Sequence, residues 1–152
     1  MSWADYISNS LLNKQDAAGH VYNNVLTQAA IYGFNGAKWA ATDKFDVSAD
    51  EINKLNDFFK QSSNGTPSIM MGGKKYQVTH YEPGAFAYLK IKDGGATVAR
   101  TNQAYVIGIY CTTATYLYDG KKSMPQSVGM CNTVVEDLAK YLKDQNCWIF
   151  II

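Results

Sequence analysis

The side chains best suited to nucleophilic or acid–base chemistry in this 152-residue chain are His20, His80, Cys111, Cys131 and Cys147. Cys131 with His80 is the pairing that could make an activated thiol. Cys131, however, opens an amphipathic helical pattern, where a buried structural cysteine is the commoner role. No H-E-x-x-H, G-x-S-x-G, Walker loop or G-x-G-x-x-G occurs, so the familiar frameworks for hydrolysis, metal binding and nucleotide binding are missing. Gly72-Gly73 before Lys74-Lys75 resembles a phosphate cradle but lacks the G-x-x-x-x-G-K-[ST] spacing. It opens onto a strand, as a tight hairpin does. Asp50-Glu51 and Glu136-Asp137 are adjacent on helices and point in different directions, so neither pair is a shared acid–base site. No C-x-x-C pair offers zinc or redox chemistry. The expectation is a protein without catalysis, metal or cofactor.

The aromatic residues say more. Trp3 and Tyr6 fall on a predicted first helix, Tyr141 on a predicted last helix and Trp39 on a hairpin strand. Any one of them alone reads as core. As a set they all carry a donor, indole N–H or phenol O–H. If the terminal helices pack side by side, Trp3, Tyr6 and Tyr141 converge, with Trp39 on the strand beneath. An exposed aromatic groove with such donors suits proline-rich peptides. A polyproline II helix is already extended and offers unpaired carbonyls.

Composition narrows the alternatives. The chain is 16.8 kDa, 47% apolar and 18% charged, which is globular and long enough for its own core. Lys plus Arg is 14 against 13 acidic residues, a net charge of +1, too little basic excess for bulk nucleic-acid binding. The longest apolar run, Trp148 to Ile152, is far below the span of a bilayer. Trp3-Ala4-Asp5-Tyr6 is not a secretory signal. Three widely spaced cysteines fit a reducing compartment, the cytosol or nucleus.

The elements that must position these side chains follow from spacing. Ser2 and Asp5 form a capping box, and Trp3, Ile7 and Leu11 share a helical face, predicting a helix from about Trp3 to Lys14. Gln15 to Asn24 reads as connector. Ala29–Phe34 and Ala37–Ala41 flank Asn35-Gly36, which predicts a type I′ hairpin turn. Ser48 and Glu51 cap a helix carrying Ile52, Leu55, Phe58 and Phe59, ending before Ser62-Ser63-Asn64-Gly65. From Ile69 to Thr112, glycine turns separate antiparallel strands, with Tyr76, Val78 and His80 expected on one face. Thr113 to Ser127 reads as a long loop. Met130, Val134, Leu138 and Tyr141 predict a last helix ending near Asn146. The whole is one α+β domain, 1–152, with one antiparallel sheet and the terminal helices as its cover.

Several segments resemble the profilin family. Met1-Ser2-Trp3-Ala4-Asp5-Tyr6-Ile7 is similar to the family's N-terminus. Ala30 to Ala40 resembles its first hairpin. Met71-Gly72-Gly73-Lys74-Lys75-Tyr76 resembles L-G-G-x-K-Y. Glu82-Pro83-Gly84, Gly94-Gly95 and Gly108-Ile109-Tyr110 match in order. Cys131 to Leu142 resembles C-N-x-V-V-E-x-L-x-x-Y-L. The resemblance implies an antiparallel sheet with the N- and C-terminal helices on one face and shorter helices on the other. It implies a cytoplasmic, cytoskeletal regulator of filament assembly that binds monomeric actin, proline-rich proteins such as formins, and phosphoinositide headgroups. Trp3, Tyr6, Trp39 and Tyr141 match the family's polyproline groove. Lys75, His80, Lys90, Arg100, Gly129, Asn132 and Thr133 match its actin-facing positions; without the family, Lys75, Lys90 and Arg100 read as solvated strand charge.

The chain departs from the pattern at Tyr88, where many relatives carry Arg. Thr113 to Ser127 is longer than the usual loop, and the tail Cys147 to Ile152 extends past the usual end. Two other readings compete with a binding protein: a small-molecule sensor of similar shape with the aromatics lining an internal pocket, and a thiol enzyme using Cys131.

Overall fold

A computed structural model describes residues 2–60 and 68–145. The expectations for Cys147 to Ile152, for the helix end near Asn146 and for Ser62 to Gly65 lie outside the described residues.

The N-terminus starts as its capping residues require. Ser2 Oγ accepts from the Asp5 N–H at 3.2 Å, and the Ser2 N–H donates to Asp5 Oδ2 at 3.1 Å. The helix α1 (Trp3–Tyr6) is nevertheless short, and it widens into a π-helical segment, Ile7–Leu12. It does not run on to Lys14. The Asn13 amide donates back to the Ser8 carbonyl at 2.8 Å. Asn13–Gln15 then leave the helix as β1 and pair antiparallel with β2 (Val21–Asn23). Strand pairing has taken residues that a local pattern assigns to helix and connector.

Strands β3 (Gln28–Gly33), β4 (Lys38–Ala41), β5 (Ser68–Met71), β6 (Lys74–Glu82), β7 (Phe86–Ile91), β8 (Gly94–Arg100) and β9 (Ala104–Cys111) form a seven-stranded antiparallel sheet. Their spatial order is β4-β3-β9-β8-β7-β6-β5. Of Asn35-Gly36 only Gly36 has positive φ, at 91°, so the β3–β4 connection is not the type I′ turn its sequence predicts. The Gly36 N–H bonds the Gly33 carbonyl at 3.0 Å, and the register slips between Ile31 and Tyr32. The two successive positive φ values that type I′ demands occur instead at Gly72 and Gly73, 60° and 80°. A second slip lies in β6 between Val78 and His80. Tyr76 and Val78 face one core, but beyond the slip Tyr81 takes that place. His80 is turned outward, so the expected shared face is broken.

Each face of the sheet has its own core. On one, α2 (Ala49–Lys60) packs Ile52, Leu55, Phe58 and Phe59 against Met71, Leu89, Val98 and Tyr105. Ser48 and Glu51 make the expected capping box, and Glu51 also accepts from the Gly72 and Gly73 N–H groups at 2.9 and 3.0 Å. One carboxylate thus ties the start of α2 to the β5–β6 turn. On the other face, Ile7 and Leu11 meet Val134, Val135, Leu138 and Leu142 of α3 (Val128–Asp144). A Cβ on Gly108 would lie 2.6 Å from Val135 Cγ2 and 2.9 Å from Leu26 Cδ1. The absent side chain is what lets α3 lie so close on β9.

The expected sheet with helices on both faces is present; on its face α2 is the one helix among the described residues, joined by Phe45 and Val47 of the segment before it. A second sheet adds to it. Thr113 to Ser127 is not an open loop but a hairpin, β10 (Thr115–Tyr118) and β11 (Lys122–Pro125), giving the order β1-β2-β10-β11. Buried Gln126 joins the two sheets. Its Oε1 accepts from Thr27 Oγ1 and the Cys111 N–H at 2.7 and 3.0 Å, and its Nε2 donates to the Asn24 carbonyl at 2.9 Å. Across the hairpin tips, His20 Nδ1 lies 2.8 Å from Asp119 Oδ2.

Candidate functional site

Four aromatic rings from three distant parts of the chain make one row. Trp39, on β4, has its ring centroid 4.7 Å from that of Trp3 on α1. Trp3 is 5.5 Å from Tyr6, and Tyr6 is 6.1 Å from Tyr141 on α3. The packing that buries Ile7 and Leu11 against α3 brings the two helices together. Gly33 leaves room for the Trp39 ring, since a Cβ there would lie 3.1 Å from Trp39 Nε1. The row is open to solvent: Tyr141 is 49% exposed. Burial first, then the Tyr141 hydroxyl, push the Tyr6 pKa above its ordinary value. Like any tyrosine, Tyr6 carries its proton at neutral pH, and the shift only strengthens this.

The α3 side of β6 and β7 presents a second surface. Lys75 and Lys90 are exposed there, around a shallow depression they share with Ser68, Gln77 and Lys92. The exposed His80 ring lies 5.8 Å from Phe86 and 5.7 Å from Tyr88, which stack at 4.8 Å. Tyr88 Oη donates to Glu136 Oε2 of α3 at 2.8 Å. Burial and then Glu136 push the Tyr88 pKa up to about 12. At the start of α3, Gly129 faces open space, and Thr133 Oγ1 donates to the Gly129 carbonyl at 2.9 Å. Asn132 Oδ1 accepts from Thr97 Oγ1 of β8.

The profilin family model matches residues 1–147. The chain belongs to the profilin family. Profilin II of Acanthamoeba castellanii is 28% identical, with a TM-score of 0.71 over 95% of this chain and 99% of that one. Mouse profilin IIa, solved with a double repeat from the FH1 domain of mDia1, is 21% identical, with a TM-score of 0.56 over 80% and 88%. LokiProfilin2, solved with rabbit actin, is 16% identical, with a TM-score of 0.57 over 78% and 85%. At the last two identities the likeness is one of fold.

Within this profilin fold one anticipated residue parts from the rest. Arg100 lies at the end of β8, and its guanidinium carbon is 4.5 Å from the Phe34 ring centre, 5.7 Å from Phe59 and 5.9 Å from Tyr105. Those rings belong to the α2 side, so strand alternation sends Arg100 away from Lys90 and His80. At the edge of the sheet it still lines, with Phe86 and Glu136, a cleft of about 170 Å³ beside α3. Phe86, Tyr88 and Glu136, which the motif comparison did not assign, do belong to the surface of Lys90 and His80. Their signal was the i, i+2 pair Phe86 and Tyr88, but the slip in β6 that lays His80 against them has no local signature.

Cys131 is fully buried, donating to Thr97 Oγ1 at 3.3 Å or the Gly108 carbonyl at 3.4 Å, and burial pushes its pKa up to about 12. A thiol so protected supplies no thiolate nucleophile. Among the described residues no group of three His, Cys, Asp or Glu side chains could hold a metal ion, and no helix is long and apolar enough to cross a membrane.

Proposed function

We propose that this profilin binds monomeric actin and proline-rich segments, among them those of formins, and thereby regulates filament assembly in the cytoplasm and cytoskeleton. The observation that carries the reading is the continuous row Trp39–Trp3–Tyr6–Tyr141. Rings spaced about 5–6 Å apart offer successive flat faces to the prolines of a polyproline II helix, which has three residues per turn and a 3.1 Å rise. Indole N–H and phenol O–H groups then meet carbonyls that the helix itself leaves unpaired. Open placement of the row favours this reading over a small-molecule sensor, which needs an enclosed pocket.

For actin, support comes from the surface joining β6, β7 and the start of α3, with Lys75, His80, Lys90, Gly129, Asn132 and Thr133. The LokiProfilin2 complex shows that a protein of this fold can engage actin. Arg100 stands at the border of this contact set, its guanidinium among the α2-side rings and its position in a cleft with Phe86 and Glu136. Phosphoinositide headgroups are the third ligand class of the proposal, supported by Lys75, Lys90 and Lys92 around one depression.

The test combines calorimetric titration of a proline-rich peptide with pyrene-actin assembly. Binding of the peptide and a longer nucleation lag at excess protein are expected. An unchanged lag removes the actin part, and absence of heat with the peptide removes the groove.

A further inference from the structure

The face of β6 turned away from Lys75 carries a recess that neither the aromatic row nor the surface of Lys90 and His80 uses. It measures about 380 Å³ and lies where the segment 42–48, between β4 and α2, meets the β5–β6 turn. Its walls are fixed to each other. A Cβ on Gly72 would lie 3.3 Å from Phe45 Cε1, and Glu51 holds both N–H groups of the turn. Phe45 and Met71, 4% and 1% exposed, are its apolar floor.

Tyr76 lines this recess and is 3% exposed, yet its hydroxyl has no hydrogen-bond partner among the described residues. Nor is the hydroxyl sealed in the core: among the described buried polar atoms only Arg100 Nε is both sealed and unpartnered. The phenol therefore opens onto the recess. The charges around it are unbalanced. Lys44 and Lys74 line the recess, and neither forms an ion pair among the described residues. The one carboxylate in the lining, Asp46, is already paired with Lys38.

We propose that the recess binds a small soluble phosphomonoester. Lys44, Lys74 and the Tyr76 hydroxyl hold the phosphoryl oxygens, and Gln28 meets the polyol or sugar portion. Two ammonium groups match the near-double negative charge of such an ester at neutral pH, and the phenol O–H gains an anionic acceptor, the stronger kind of hydrogen bond. The volume lies within the range of small-molecule sites. A lipid headgroup fits less well: the exposed Asp43, Asp46 and Asp50 stand in the same stretch of chain, and an anionic bilayer draws in surfaces with a basic excess. Because Lys74 and Lys75 point to opposite faces of β6, this site is separate from the depression around Lys75 and Lys90. It does not depend on the row binding proline or on the basic surface binding actin.

The experiment titrates glycerol phosphate, and separately glycerol, into the full chain and follows backbone amide shifts by NMR. The ester should shift the Gly72, Gly73 and Lys74 amides saturably, and glycerol should not. Tyr76→Phe deletes only the hydroxyl and should weaken the ester about tenfold. Lys74→Gln should weaken it at least as much, and serves alone if Tyr76→Phe does not fold. Lys75→Gln, on the other face, should bind as the wild type does. Sedimentation with phosphatidylcholine vesicles carrying phosphatidylinositol bisphosphate should be the same for wild type and Lys74→Gln. Absence of a saturable shift with the ester overturns the proposal. So does wild-type affinity in Lys74→Gln, or an equal loss in Lys75→Gln. Vesicle binding that Lys74→Gln abolishes, with no binding of the free ester, also overturns it and gives the recess to a lipid headgroup.

Discussion

Trp3 occupies the centre of the aromatic row, and its removal should cost more binding than removal of the ring at the end. Its ring touches both Trp39, at 4.7 Å, and Tyr6, at 5.5 Å, whereas Tyr141 touches only Tyr6, at 6.1 Å, and is 49% exposed. Trp3→Ala deletes a ligand platform and also two aromatic contacts, each worth about 0.5–1.5 kcal/mol, that hold the neighbouring platforms in place. The expected loss is about 2–3 kcal/mol, or roughly 30- to 150-fold in affinity for a proline-rich peptide. Tyr141→Ala removes one half-exposed ring with one neighbour, and about 1 kcal/mol, or roughly fivefold, is expected. Isothermal calorimetry reads both, with thermal denaturation showing that each variant is folded at the assay temperature. If folded Tyr141→Ala loses as much as Trp3→Ala, or if neither loses affinity, the centre-and-edge reasoning is wrong.

Four further expectations concern the rest of the molecule. Lys90→Glu should weaken actin sequestration in a pyrene assay and leave the melting temperature unchanged. Arg100→Glu should lower the melting temperature, because it puts a carboxylate among Phe34, Phe59 and Tyr105; equal stability of the two variants would contradict the placement of Arg100. Gln126→Ala leaves the Cys111 N–H and the Asn24 carbonyl without partners and should destabilise by about 2–4 kcal/mol in urea titration. The Asp119 hydrogen bond, and less so the charges of Asp119 and Asp16, raise the His20 pKa, while the Val21 N–H and then His20 lower that of Asp119. The His20 share of stability is therefore complete below its unfolded value, about 6.5, and fades as pH rises through the higher folded value. The Asp119 share is present above about 3.9 and fades as pH falls. Protection factors of the β10 and β11 amides, corrected for the pH dependence of intrinsic exchange, should be highest in mildly acidic solution, and Asp119→Asn should lower the His20 titration midpoint seen by NMR. An unmoved midpoint would show that the pair does not form.

The surface proposed to face actin was only partly legible in the chain. Lys75 and Lys90 could be placed on strands because apolar residues alternate around them. His80 could not be placed, because the slip after Val78 arises from how β6 pairs with β7 and leaves no trace in β6 alone. Arg100 matched the family's actin-facing positions and, without the family, read as a solvated strand charge. The rings that hold it come from the turn after β3, from α2 and from β9, and no local pattern announces that they meet.

Local chemistry decided the caps of α1 and α2, the face of α2 and α3 turned to the sheet, and the donors borne by Trp3, Tyr6, Trp39 and Tyr141. These depend on neighbours within about four residues, where side-chain reach and helical period are the whole argument. Tertiary structure decided where the first helix stops, since Asn13–Gln15 gain strand partners in Val21–Asn23 that outweigh another helical turn. It also decided that Thr113 to Ser127 is a hairpin, because β10 pairs with β2 nearly a hundred residues earlier. The order and spacing of the aromatic row belong to the same class. Those distances come from the close seat of α3 on Gly108 and from the packing of Ile7 and Leu11 against it. Such contacts are fixed by shape across the core, to which period and propensity along the chain are blind.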